Sequence, residues 1–136
     1  MKKKGMIIYY AFRLTKDDDL KKKISDFVVE HHISGVILSG VGSLTTLSIR
    51  LADGESTLEK DGEFEIVSMT GTLSENGVHL HISVSCNDGH TIGGHLKDGC
   101  IINTTAEICL LDIPNLKFSR EMDSSTEYKE LIVKQL

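Results

Sequence analysis

Gly77-Val78-His79-Leu80-His81-Ile82-Ser83-Val84-Ser85 is the stretch on which the fold turns. Val78, Leu80, Ile82 and Val84 recur at every second position, with His79, His81, Ser83 and Ser85 between them. Side chains alternate between the two faces of a strand, so this segment reads as a strand with one apolar and one polar face. Ser74-Glu75-Asn76-Gly77 before it is a hairpin signal, and Asn87-Asp88-Gly89 turns the chain again after it. Strand-like runs continue on both sides. Phe64 to Leu73 precedes the first turn, and Thr91 to Leu96 follows the second. Lys97-Asp98-Gly99 then leads into Cys100 to Leu111, closed by Pro114-Asn115.

Towards the N-terminus, Met6 to Leu14 is β-branched, aromatic and apolar, and reads as a strand. Thr15-Lys16-Asp17-Asp18 resembles a capping box, with acidic residues where the helix dipole favours them. Leu20, Ile24, Phe27 and Val28 recur at helical spacing, so residues 16 to 32 form the one amphipathic helix, closed by His31-His32. Ser34 to Ser39 is a short apolar strand. Gly40-Val41-Gly42-Ser43 reads as a tight connection into a second strand, in which Leu47, Ile49 and Leu51 alternate with polar residues. Ala52 to Gly62 is polar and turn-rich, and the tail from Tyr128 reads as a final strand. Short strands with hairpin turns and one inserted helix indicate an α+β fold around a largely antiparallel sheet. At 136 residues the chain, 1–136, is expected to be a single domain.

Twenty acidic residues against fifteen basic ones give a net charge of −5, which disfavours autonomous DNA binding. The dense basic runs are Lys2-Lys3-Lys4 and Lys21-Lys22-Lys23, the latter read as a solvated helix face. Cys86, Cys100 and Cys109 are odd in number and lack Cys-x-x-Cys spacing, so a reducing cytoplasm is the expected compartment. The lysines and apolar run at the N-terminus superficially suggest a signal peptide, but the run stops at Arg13 with no small-residue cleavage site. No stretch reaches transmembrane length.

His79 and His81 share a strand face. His95 lies on the next antiparallel strand, where pairing about the Asn87-Asp88-Gly89 turn puts Val78, Leu80 or their neighbours opposite it. The three imidazoles can then converge. Gly93 and Gly94 permit a bulge or a close backbone approach beside His95. Three neutral imidazoles suit zinc or a similar divalent metal and leave a position open for water or a ligand. The same spacing also fits histidines that merely hydrogen-bond on a solvated or interfacial sheet face.

Other candidates carry weaker signals. Gly40-x-Gly42 lacks the third glycine and the following helix of a dinucleotide loop. Glu107, in an otherwise apolar strand, can orient a histidine, act as a general base, or make a surface ion pair. Arg13 and Arg50 are candidates to line a cleft, although exposed strand arginines are common. Ser39, Ser43 and the three cysteines lack the partner spacing of a nucleophile.

These segments together resemble the PPC ("plant and prokaryote conserved") domain family, of the stand-alone prokaryotic type, related to the domain beside AT-hooks in plant nuclear proteins. The resemblance rests on Arg13-Leu14, Gly40-Val41-Gly42-Ser43-Leu44, Gly62-Glu63-Phe64-Glu65-Ile66 and Thr70-Gly71-Thr72-Leu73. Its strongest marks are His79-Leu80-His81-Ile82, Gly93-Gly94-His95-Leu96 with Gly99, and Thr105-Ala106-Glu107. Phe118-Ser119-Arg120, Asp123, Thr126, Tyr128 and Glu130-Leu131 complete it, and the family's usual Thr-Gly-Tyr reads Thr126-Glu127-Tyr128 here. The resemblance implies a strongly curved antiparallel sheet with flanking helices, a homotrimer with clefts between subunits, and a metal, zinc above all, at His79, His81 and His95.

Three functions are compatible with these residues. The first is a homotrimeric metal- or ligand-binding regulatory module that takes a small-molecule or anionic ligand. The second is a metal-dependent hydrolase or lyase. The third is the DNA-associated regulator that the family label suggests, although this chain lacks an Arg-Gly-Arg-Pro hook.

Overall fold

The computed structural model describes residues 5–136, so the basic run at 2–4 lies outside the described residues. Eight strands and one helix follow in the order β1 (Ile8–Thr15), α1 (Leu20–Glu30), β2 (Gly35–Arg50), β3 (Thr57–Ser74), β4 (Gly77–Ser85), β5 (Thr91–Leu96), β6 (Ile101–Asp112), β7 (Leu116–Met122) and β8 (Lys129–Gln135). Six strands make an antiparallel sheet in the order β1-β6-β2-β3-β4-β5, and β5 returns to pair with β2. The sheet is therefore curved until four of its strands close on one another. β7 and β8 form a separate antiparallel ribbon.

One apolar core fills the concave side. Leu44, Leu47, Ile49, Leu80, Val84, Leu96, Ile102 and Leu110 are buried there, and α1 adds Leu20, Ile24 and Val28 from one of its faces. The fold is mostly β. Among the described residues a single eleven-residue helix stands where the resemblance implied flanking helices.

Four features correct the sequence reading. The helix starts later than Lys16. Asp17 takes a left-handed conformation (φ 73°) and donates its N–H to the Ile102 carbonyl, while the Asp18 carboxylate accepts the Thr15 N–H. Asp19 is the actual cap, accepting the Lys22 N–H at 3.2 Å and the Gly99 N–H at 2.8 Å. The C-terminal end is as expected: His31 caps the helix, and His32 (φ 53°) turns the chain out of it.

Gly40-Val41-Gly42-Ser43 is not a turn. It lies inside one continuous sixteen-residue strand, β2, with register shifts against β6 on either side. The glycines answer to close packing: a Cβ on Gly40 would stand 2.6 Å from Met69 Sδ, and one on Gly42 would stand 2.2 Å from the Thr105 carbonyl oxygen. The polar stretch before Gly62 likewise belongs largely to β3, whose first residues pair with Thr46 to Arg50. Its charged side chains are exposed, so their polarity reflects solvent and not a loop.

β7 was not anticipated. It pairs along its length with β8, and distant partners dock it: Asn76 clasps Arg120 through two hydrogen bonds of 3.0 Å, and Ser34 Oγ accepts the Phe118 N–H. The residue opposite His95 is His81, the neighbour of Leu80, within the expected pairing.

Candidate metal centre

β4 presents His79 and His81 outwards because Leu80, Ile82 and Val84 are locked in the core on its other face. β5 brings His95 directly across from His81. Ring centroids lie 5.0 Å apart for His79 and His81, 5.2 Å for His79 and His95, and 5.6 Å for His81 and His95. One nitrogen from each ring can be chosen so that all three lie within 4.8 Å of one another. Around a tetrahedral zinc with Zn–N near 2.05 Å, each ring centre sits ~3.2 Å from the metal, which puts centroids about 5.2 Å apart. The observed triangle matches that size.

The electrostatics favour neutral rings. Burial holds His95 down to about 4, helped by the Arg50 guanidinium and then by His79 and His81. His79 is also lowered, by burial first, then Arg120 and His81, with Glu130 acting the other way. Neutral imidazoles keep a lone pair for a cation, so protons do not compete for His79 or His95 at neutral pH. His95 Nδ1 is buried and has no hydrogen-bond partner. An orphaned ring nitrogen in a cluster of three histidines is what a metal ligand looks like before its metal is added.

A cleft of about 420 Å³ opens beside the triad. Arg50, the last residue of β2, pairs in register with His95, and its Cζ stands 5.5 Å from the centre of the Tyr128 ring. Arg120 reaches in from β7 and donates from Nη2 to Thr72 Oγ1 at 2.7 Å, where Thr72 is the cross-strand neighbour of His79. Val78, Lys129 and Glu130 also line the cleft. The Nε atoms of both arginines are buried without a partner.

Of the residues singled out from sequence, the three histidines and Arg50 are together. Glu107 and Arg13 are elsewhere. They face each other across β6 and β1, with Val41 on the other side of Glu107, and neither lines the histidine cleft. The placement fits the surface-pair reading of Glu107 better than a role in orienting a histidine. His31 stacks on Phe27 with centroids 4.0 Å apart, and His32 contacts Glu75 at 2.6 Å, so both serve the fold around the helix end. Arg120, Tyr128 and Glu130 were missed as site residues. The only signal for them was their place in the C-terminal motif, because nothing local ties the β7–β8 ribbon to the histidines.

The family model described as the Plants and Prokaryotes Conserved (PCC) domain matches residues 1–114. A bifunctional protein GlmU of Synechococcus sp. (strain JA-3-3Ab) is 40% identical over 133 residues, 97% of this chain. The chain spans only about a fifth of the length of that relative. A solved structure from Salmonella cholerae-suis (Salmonella enterica) is 34% identical, covers 96% of this chain and 95% of its own, and superposes with a TM-score of 0.91. A structure described as a metal-containing protein of Archaeoglobus fulgidus shares the fold at 22% identity, with a TM-score of 0.75 over 92% of this chain and 93% of its own.

Proposed function

The chain belongs to the Plants and Prokaryotes Conserved domain family, and on that premise we propose that it is a metal-binding module whose centre is His79, His81 and His95. Zinc or a similar divalent ion is the metal that three neutral imidazoles suit. The observation that carries this reading is the size of the imidazole triangle together with the orphaned His95 Nδ1. The Archaeoglobus fulgidus relative, metal-containing by description, points the same way. A bound divalent ion would supply a Lewis acid and an open coordination position there.

The module acts as a homotrimer in this reading. Tyr9, Leu38, Val41 and Val67 are all more than half exposed on the sheet strands, and a second copy of the chain would cover such side chains. The role is regulatory or ligand-binding. No DNA-binding role is proposed, because the chain is acidic overall and its paired arginines lie in a cleft and not along an open face.

Metal analysis and native mass, measured on protein purified without a histidine tag, test the reading. Zinc or a related ion stoichiometric with the chain, in a species of three times the chain mass, is expected. His81→Ala should lose the metal and keep its fold, since His81 is exposed. A variant that retains the metal fully would overturn the assignment.

A further inference from the structure

The histidines use little of the cleft beside them, and the rest of its wall has its own chemistry. Two guanidiniums, Arg50 and Arg120, reach it from different strands. The Nε of each is buried with no hydrogen-bond acceptor. Glu130 lines the same cleft, yet among the described residues neither arginine has a carboxylate within 4.0 Å. Lys129 adds a third positive charge to the wall. In a chain of net charge −5 this is a local reversal of sign. A buried N–H without a partner is costly, and planar guanidinium forks match the two oxygens of a carboxylate. Val78 and the Tyr128 ring give the cleft an apolar side, against which a hydrocarbon skeleton can lie.

We infer that this cleft binds a small organic acid, its carboxylate held by Arg50 and Arg120 and its carbon skeleton against Val78 and Tyr128. The inference deepens the metal-centre reading and rests on it for one feature only, the cation that would meet the ligand's far end. The volume of about 420 Å³ falls in the range of pockets that hold a metabolite. The Arg50 guanidinium is braced by the Tyr128 ring and Arg120 by Thr72, so both are held in place before a ligand arrives.

Calorimetric titration of zinc-loaded and zinc-stripped protein with succinate, succinamide and inorganic phosphate tests the inference. Succinate should bind, succinamide should not, and phosphate should bind more weakly than succinate because it gains nothing from the apolar wall. Arg50→Gln and Arg120→Gln should each weaken succinate at least ten-fold, with Arg120→Lys between. If Arg120→Gln fails to fold for want of its Thr72 contact, Arg50→Gln decides, because among the described residues the Arg50 side chain is held by the Tyr128 ring and by no hydrogen bond. A flat succinate titration of protein that takes up zinc stoichiometrically overturns the inference and leaves the metal centre standing. Arginine-dependent succinate binding to a chain that takes up no zinc supports it and removes the metal reading instead. Phosphate binding tighter than succinate overturns the organic-acid assignment.

Discussion

Replacing Gly94 with alanine is the sharpest test of how the sheet builds the histidine centre. β5 is only six residues long and carries one of the three histidines. Gly94 pairs with Ile82 of β4, while its neighbour His95 pairs with Arg50 of β2. A Cβ on Gly94 would stand 2.6 Å from the Arg50 carbonyl oxygen and 3.3 Å from Ile49 Cδ1. Ordinary contact begins at 3.4 Å, so β5 and β2 must part by about 0.8 Å, and the obstacle is backbone that cannot rotate aside. Overpacking of this kind costs about 1–3 kcal/mol. For a domain of this size that lowers Tm by roughly 3–10 °C. Support for a metal ligand has to be correct to within about 0.5 Å, so zinc affinity should fall roughly 10–100-fold as well. Gly89→Ala is the control. Gly89 sits at φ +85° with nothing within 4 Å, so alanine there costs about 1–2 kcal/mol of backbone strain at the far end of the same hairpin. Thermal denaturation of metal-free protein at one fixed concentration gives the stabilities, and competition with a chromogenic chelator gives the affinities. If Gly94→Ala binds zinc as tightly as Gly89→Ala does, the close approach of β5 to β2 is not what positions His95.

The metal-free protein should lose stability as pH falls from 6.5 towards 4. His95 is held down to about 4 and His79 is also lowered, so between those limits the unfolded chain binds more protons than the folded one. The chelator-treated urea midpoint should fall over that window less steeply for His95→Asn than for the wild type, and identical profiles would refute the assignment. Glu127 occupies a left-handed position (φ 65°) in the turn between β7 and β8, a conformation that glycine adopts without strain. Glu127→Gly should therefore stabilise the protein by about 0.5–1 kcal/mol, read by denaturant titration, against a loss if the turn relaxes elsewhere. Cys100 should resist alkylation in the native state while half-buried Cys86 reacts. Burial pushes the Cys100 thiol up to about 11, and its Sγ is engaged with the Ser48 backbone at 3.2 and 3.3 Å. Peptide mapping after brief iodoacetamide treatment would show this.

β4 and its two turns were legible because everything that shapes them lies within about a dozen residues. Alternation fixes which face is buried, and Ser74-Glu75-Asn76-Gly77 and Asn87-Asp88-Gly89 fix the ends. The same local logic identified the three histidines. β2 was misread for the converse reason. Gly40 and Gly42 have the look of a turn, but Met69 and Thr105 demand them, and neither is near in sequence. Helix onset comes four residues later than expected because Asp17 and Asp18 serve the junction with β6 before Asp19 caps α1. β7 was overlooked although its ladder is with nearby β8. Where the ribbon docks depends on Asn76 and Ser34, which are distant in sequence, and that docking is what brings Arg120 to the cleft. Arg50 was visible as a strand arginine, but its place against His95 follows only from the return of β5 to β2.

That return is the narrowest join in the sheet. Two residue pairs, Ile49 with Leu96 and Arg50 with His95, close β2 onto β5, whereas β2 and β3 pair along most of their length. One member of the join is a proposed metal ligand and another a proposed anion ligand. A metal on the three rings would tie β5 to β4, and a carboxylate between Arg50 and Arg120 would tie β2 to the β7–β8 ribbon, which otherwise belongs to a separate sheet. Each ligand would stabilise the folded arrangement of the residues it joins by mass action, about 2.7 kcal/mol at a hundred times Kd. His95 and Arg50 face each other across the seam, so a shift there would displace one proposed ligand of the metal and one of the carboxylate together. The metal itself would rest on the longer ladder of β4 with β5, whereas the place of Arg50 beside it depends on the two-pair seam.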